Sequence, residues 1–340
     1  TIIKMLEDMT GIKITDIPLD DPETMSLFTS TKALGVSPED IGTPVGSLAI
    51  PEFGTKFTRQ MLVDTMPTTF AELVRIAGLS HGTDVWLNNA QDLVRSNIVG
   101  LKDVISTRDD IMNYLIFSGL KPKTAFTIME SVRKGKGLKP EFESDMRDKD
   151  VPEWYINSCK KIKYMFPKAH AVAYVMTSFR IAYCKINYPE AFYATYFTTK
   201  VEDFDIELIS KGMEAVQARM EEIREKGNSA TTKENSQYTL LEVVVEMFAR
   251  GIKVLKVDIY KSDARDFKIN GKGEILPPMI SLDGMGENAA QSVVDARSKP
   301  FISKEDLLKR TRLSKTVVEK LSEHGSLEDL SDENQLSFKM

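Results

Sequence analysis

Between Lys160 and Tyr174 the chain reads K-K-I-K-Y-M-F-P-K-A-H-A-V-A-Y. Lys160, Lys161, Lys163 and Lys168 fall within nine residues, Tyr164, Phe166, His170 and Tyr174 sit among them, and the run holds no acidic residue. Pro167 ends whatever helix precedes it and suits the first turn of the next. Cations beside the free N–H groups of a helix start can hold a phosphate. Aromatic rings offer a stacking face for an attached base. The same residues also fit a solvated basic turn with its aromatics packed inward, which is what most charge runs are. Tyr174, four residues past His170 on an apolar helix, reads as core rather than contact.

A second group with chemistry to offer lies at 280–297, I-S-L-D-G-M-G-E-N-A-A-Q-S-V-V-D-A-R. Gly284 and Gly286 allow a tight turn that points backbone N–H groups outward, ahead of a helix from Glu287 to Arg297. This is the pattern of a helix-hairpin-helix, which grips a phosphodiester without reading bases. Leu313 to Leu321, closed by His324-Gly325, reads as a degenerate second copy. An ordinary helix-to-helix turn would look similar. Arg133-Lys134-Gly135-Lys136-Gly137 is a basic loop expected to be flexible, and Lys134 and Lys136 are candidate DNA contacts. Cys159 and Cys184 are too few and too far apart for a disulfide framework or a zinc site, and they suit a reducing cytoplasm.

These residues need supports, and the spacing supplies mostly helices. Residues 1–10 read as an amphipathic helix closed by Gly11. Asp20 or Asp21 caps a helix that opens on Pro22, and 35–51 is loop-rich. Helices follow at about 56–63, from a cap at Thr68 or Thr69, at 109–117, at 123–132, from Pro152 through Ile162, and at about 169–188. Gly78 to Asp84 reads as a polar turn, and 141–150 is acid-rich. The 169–188 helix is apolar nearly all round, which predicts burial. It continues as 191–197 beyond Pro189. Helices at 202–226 and 238–250 are joined by a polar link, 227–236. Near Gly251 the pattern changes: 254–260 alternates like a strand, and 267–276 reads as a hairpin turning at Asn270-Gly271. The fold class is therefore mainly α, a long helical region followed by a small α+β region with helix-hairpin-helix elements.

The 340 residues are 42% hydrophobic and 28% charged, an ordinary globular balance sufficient for two or three domains. The net charge is −5, yet Lys and Arg gather in 121–139 and 160–168 while acids gather in 16–23, 141–150 and 202–206. A protein that is acidic overall can still be basic along one face. No apolar run approaches the roughly 20 residues of a membrane span, and there is no signal peptide. The opening T-I-I-K-M-L-E-D-M lies inside a helix pattern without an initiator Met, so the chain is expected to be a fragment of a longer protein.

Several strings together carry a resemblance. G-L-S-H-G-T-D-V-W (78–86), T-R-D-D-I-M (107–112), V-R-K-G-K-G-L (132–138), V-P-E-W-Y (151–155), C-K-K-I-K-Y-M-F-P-K-A-H (159–170) and N-Q-L-S-F (334–338) resemble, in order, the C-terminal part of the PolC class of DNA polymerase III alpha subunits. This is a C-family replicative polymerase of low-GC Gram-positive bacteria. The resemblance implies that 1–55 is a palm-proximal segment of the fingers, 56–250 the helical fingers domain, 251–330 the duplex-binding domain and 331–340 a clamp-binding tail. It implies nucleotidyl transfer with Mg²⁺ held by palm carboxylates upstream of Thr1. No stretch here matches their motifs, and Asp20-Asp21 and Asp109-Asp110 fit helix caps, so catalytic and metal-ligating residues are expected to be absent and the chain alone inactive.

The same resemblance implies that Arg108, Lys160, Lys161, Lys163, Lys168 and His170 bind and neutralise the incoming dNTP. It also implies that Ser80, His81 and Phe166 line the pocket of the nascent base pair. Each has a structural alternative: Ser80 or His81 as a turn cap, Arg108 paired with Asp109 or Asp110, Phe166 as core. Gln335, Leu336 and Phe338 resemble a sliding-clamp motif that lacks one apolar position of the expected Leu-Phe ending. The implied partners are primer-template DNA, dNTPs, the clamp and other replisome subunits. The competing readings are a non-catalytic helix-hairpin-helix DNA-binding or scaffold protein and a helical protein-interaction module.

Overall fold

A computed structural model describes residues 2–334; the expected clamp motif at Gln335, Leu336 and Phe338 lies outside them. The longer helices are α1 (Ile2–Thr10), α2 (Lys56–Thr65), α3 (Phe70–His81), α4 (Arg108–Phe117), α5 (Pro122–Arg133), α6 (Pro140–Arg147), α7 (Glu153–Lys161), α8 (Lys168–Asn187), α9 (Pro189–Thr199), α10 (Met213–Lys226), α11 (Thr232–Ala249), α12 (Glu287–Ala296), α13 (Lys304–Arg310) and α14 (Lys315–His324). A hairpin of β1 (Lys268–Ile269) and β2 (Ile275–Leu276) pairs Lys268 with Leu276 and Ile269 with Ile275. The fold is mainly α, as the sequence predicts.

The chain divides into two compact units. One comprises Ile17–Leu34 and Thr43–Tyr183, the other Thr1–Asp16, Gly35–Gly42 and Cys184–Met340. The first is built around Phe28, Phe53 and Phe179, all fully buried. Phe28 meets Phe53 edge-on at 5.1 Å and stacks on Phe179 at 6.4 Å. Each such side chain removed from water contributes about 1.5–3 kcal/mol. Both tryptophans, Trp86 and Trp154, belong to this unit.

The second unit centres on Tyr193, Phe197 and Phe267. A polar group runs through this core. Lys185 Nζ pairs with Glu246 Oε1 at 2.7 Å, and both side chains are fully buried. The Tyr193 hydroxyl donates to the same oxygen at 2.6 Å, and Arg250 donates to the Lys185 carbonyl at 2.9 Å.

Several boundaries differ from the expectation, each for a local reason. Gly78-Leu79-Ser80-His81 is the last turn of α3, not a polar turn, because Gly78 lets the helix lie against Ser106 and Thr107: a Cβ there would sit 2.5 Å from Ser106 Oγ. The acid-rich stretch holds a helix at Pro140–Arg147, to which the sequence reading assigned no element. The polar 227–236 link is largely helical, since Thr231 and Glu234 form a reciprocal capping box that starts α11 six residues early. The 202–226 segment is broken at Gly212, which has φ +95°.

Residues 254–260 are not a strand. Only Val254 bridges to Ile275, and the alternation there reflects burial of Val257 and Ile259 rather than pairing. Nor is α8 buried all round, since Tyr174 is 45% exposed. Asp21 is the cap of the Pro22 helix, accepting from Thr24 N at 2.9 Å.

Candidate functional site

The run from Ile162 to Pro167 between α7 and α8 is held from three sides. Thr83 and Tyr164 form an antiparallel bridge, with Thr83 N donating to Tyr164 O at 2.9 Å and Lys163 N to Thr83 O at 3.0 Å. Arg108 N, at the first turn of α4, donates to Phe166 O at 3.1 Å. Gly135, at φ +72°, presses against Lys163: an added Cβ would lie 2.5 Å from the Lys163 carbonyl oxygen. A Cβ added at Gly82 would likewise lie 2.8 Å from Tyr164 O. The loop after α5 is thereby packed against the lysine run, which corrects the expectation that it is a free basic loop.

This bracing displays a cluster of rings. Phe166 stacks on His170 with centroids 5.0 Å apart and planes inclined by 20°. Tyr164 and His81 meet Phe166 edge-on at 5.2 and 5.3 Å. Tyr174 lies 4.5 Å from His170 and 5.9 Å from His81. Tyr164 and Tyr174 are about half exposed, so the platform has an open face. The sequence reading misplaced Tyr174, although its i, i+4 spacing from His170 puts the two on one helix face.

The cations divide into two kinds. Lys160 and Lys161, in the last turn of α7 where a helix dipole favours positive charge, are already engaged. Lys160 Nζ pairs with Glu143 at 2.9 Å and Lys161 Nζ donates to Asn88 O at 3.0 Å. Arg108, Lys163 and Lys168 have no ion-pair partner among the described residues. Lys168 opens α8, an end at which a cation is disfavoured. Its backbone N–H donates to Asp109 Oδ2 at 2.6 Å, so Asp109 serves as a cap supplied from another helix. Asp110 accepts from Thr107 N at 2.8 Å. A cleft of about 310 Å³ beside Lys168 is lined by Phe70, Val74, Thr107 and Val172.

The remaining candidates behave differently. The Ser80 hydroxyl donates to Ala77 O at 3.0 Å within α3. His81 Nε2 is hydrogen-bonded to the Glu52 carboxylate, a partner 29 residues away that no local pattern announces. Lys134 Nζ pairs with Glu130 at 3.0 Å, and Arg133 with Lys134 holds the Glu130 carboxyl down to about 2. Lys136 is exposed and has no ion-pair partner among the described residues. Burial pushes the thiols of Cys159 and Cys184 up, the latter to about 12, so neither is a nucleophile at neutral pH. Among the described residues no group of three or more His, Cys, Asp or Glu gathers to hold a metal ion.

In the other unit, Gly284 (φ +85°) and Gly286, the N-cap of α12, form an exposed turn. A Cβ at Gly286 would meet nothing within 4 Å, so a phosphate can approach the backbone closely. The helix ahead of this turn is a single 3-10 turn, Met279–Ser281. A second turn precedes α14, where Ser314 caps the helix and Gly325 closes it at φ +87°. Lys320 Nζ reaches Asp283 at 2.7 Å and so ties α14 to the first turn.

The family model of the bacterial DNA polymerase III alpha subunit finger domain matches residues 1–150, and that of a helix-hairpin-helix motif matches 251–336. The chain is 59% identical over 339 residues to the PolC-type DNA polymerase III of Clostridium perfringens, covering 99% of this chain and 23% of that protein. It is 59% identical to the same protein of Caldanaerobacter subterraneus and 56% to that of Bacillus subtilis, covering 24% of each. It thus spans about a quarter of the length of these relatives. With that identity sustained along 99% of its residues, and with a finger domain and a helix-hairpin-helix in the expected order, the chain belongs to the PolC-type DNA polymerase III family.

Proposed function

We propose that this segment supplies the nucleotide-facing and duplex-gripping parts of a replicative DNA polymerase. The observation that carries the reading is that three cations without an ion-pair partner among the described residues adjoin the Phe166–His170–Tyr174 ring cluster: Arg108, whose backbone N–H donates to Phe166 O, and Lys163 and Lys168, which flank Phe166 in the chain. The cations take the triphosphate of an incoming dNTP, which offsets the unfavourable place of Lys168 at a helix start. The rings confine the base and sugar. Lys160 and Lys161 act through the fold of the run, since both are occupied. The Gly284–Gly286 turn holds the phosphodiester of primer-template DNA without reading its sequence, and Lys136 is a separate candidate DNA contact.

On this reading 1–55 borders the palm, 56–250 is the fingers, 251–330 binds duplex, and Gln335, Leu336 and Phe338 engage the sliding clamp in a cytoplasmic replisome. Mg²⁺, which supplies activation of the primer hydroxyl and charge neutralisation in such enzymes, belongs with palm carboxylates outside this chain. No helix among the described residues is long and apolar enough to cross a membrane.

The test is single-nucleotide incorporation by the whole polymerase carrying Arg108→Ala or Lys168→Ala. Each change raises the dNTP KM about tenfold or more, equivalent to ~1.4 kcal/mol, and leaves primer-template affinity unaltered. A KM that stays within twofold in both variants refutes the nucleotide site. It would leave a DNA-binding segment in which only the helix-hairpin-helix is functional.

A further inference from the structure

Resting on that reading of the ring platform, we infer that Glu52 is a positioning residue for it, acting through His81. Glu52 sits in a tightly wound loop, 47–54. The loop is anchored by the fully buried Phe53, whose carbonyl accepts from the Ser47 hydroxyl at 2.6 Å. Two of its residues, Ala49 (φ +63°) and Glu52 (φ +72°), are in the left-handed region although neither is glycine. Such backbone persists only where its surroundings determine it, and it concentrates at working sites.

What the loop delivers is a carboxylate. The Glu52 side chain is 16% exposed and the His81 side chain 27%. Glu52 Oε2 bonds His81 Nε2, and among the described residues no Lys or Arg pairs with Glu52. A carboxylate this far out of water is costly unless it is matched, so its presence on strained backbone is tied to the imidazole.

The bond has a direct consequence for the platform. His81 ends α3, where its ring is free to rotate about its side-chain bonds. Held by Nε2, it is fixed edge-on to Phe166 with planes at 79°, and lies 6.1 Å from His170 and 5.9 Å from Tyr174. Its other nitrogen, Nδ1, makes no hydrogen bond among the described residues and is left for the nucleotide. A carboxylate that fixes a functional histidine by one nitrogen, so that the other faces the ligand, is a recurrent arrangement. Glu52 therefore sets the orientation of the His81 ring against Phe166, His170 and Tyr174 and leaves Nδ1 without a protein partner among the described residues.

The experiment uses the whole polymerase and measures dNTP KM, kcat, primer-template affinity and thermal midpoint. Glu52→Gly removes the carboxylate while easing the backbone, and so protects folding. Glu52→Gln keeps an oxygen acceptor for Nε2–H. The expected result is a KM raised about fivefold to tenfold in Glu52→Gly, with duplex affinity unchanged and with Glu52→Gln within about twofold of the parent. Combined with His81→Ala, Glu52→Gly has no further effect, because it acts through that ring. An unchanged KM in Glu52→Gly while Arg108→Ala raises it overturns the role of Glu52 alone, as does an additive double variant. An unchanged KM in both single variants overturns the platform itself.

Discussion

A glycine decides where the lysines stand. At Gly135 a side chain would meet the Lys163 backbone at 2.5 Å, and φ is +72°, so Gly135→Ala must displace the run it braces. At Gly137, φ is +69° with nothing within 4 Å, and only the backbone strain of about 1 kcal/mol remains. The expected outcome is a larger fall in thermal midpoint for Gly135→Ala than for Gly137→Ala, and a raised nucleotide KM in the first alone. Scanning calorimetry and single-nucleotide kinetics check it. Lys160→Ala should leave that KM within about twofold, because its ammonium already belongs to Glu143.

At the scale of elements, caps and one histidine set the thresholds. Asp109 caps α8 across a sequence gap of 59 residues. Asp109→Ala should cost about 1 kcal/mol in denaturant unfolding and raise nucleotide KM, since Lys168 and His170 both lie in the turn it fixes. In α14 the His324 ring accepts from Val257 N through Nε2 at 3.1 Å, so it is neutral there. Burial, with Lys256 nearby, lowers its pKa from the usual 6.5. Between the folded value and 6.5 the unfolded chain binds more protons. The contribution is therefore fully present above about pH 6.5 and is lost as pH falls through the depressed folded value. Thermal midpoints taken from pH 7.5 down to 5 should fall more steeply for the parent than for His324→Gln.

The elements show what the sequence could and could not tell. Periodicity, a cap at Thr68 or Thr69, and the prolines at 122 and 189 place the starts of these three helices within a residue or two, because these signals are local. The break at Gly212 and the early start of α11 turn on a left-handed glycine and a Thr231–Glu234 box, both legible in principle. The basic, aromatic run from Lys160 to Tyr174 was legible as composition. Its division into occupied and unoccupied lysines was not, since Glu143 and Asn88 come from distant segments. Glu52 was invisible for the same reason, and Tyr174 was misjudged because an apolar helix in sequence is not a helix buried on every face.

At the scale of the whole molecule the buried Lys185–Glu246 pair is the most consequential single contact. Removing one partner strands a charge in a dry core, and Glu246→Ala should cost about 3–5 kcal/mol. Exchanging both for apolar residues of similar volume, Lys185→Met with Glu246→Leu, should recover most of that loss. Chemical denaturation of the three proteins gives the comparison. Tyr193 loses its acceptor in either case, which sets a limit on the recovery.

Trp86 and Trp154 both reside in the unit that carries the ring platform. The chain's intrinsic indole fluorescence is therefore an optical reporter of that unit alone, while far-ultraviolet circular dichroism reads the helices of both. Recorded side by side on one sample, the two signals separate loss of the platform's scaffold from loss of the helix-hairpin-helix unit, without any label being added.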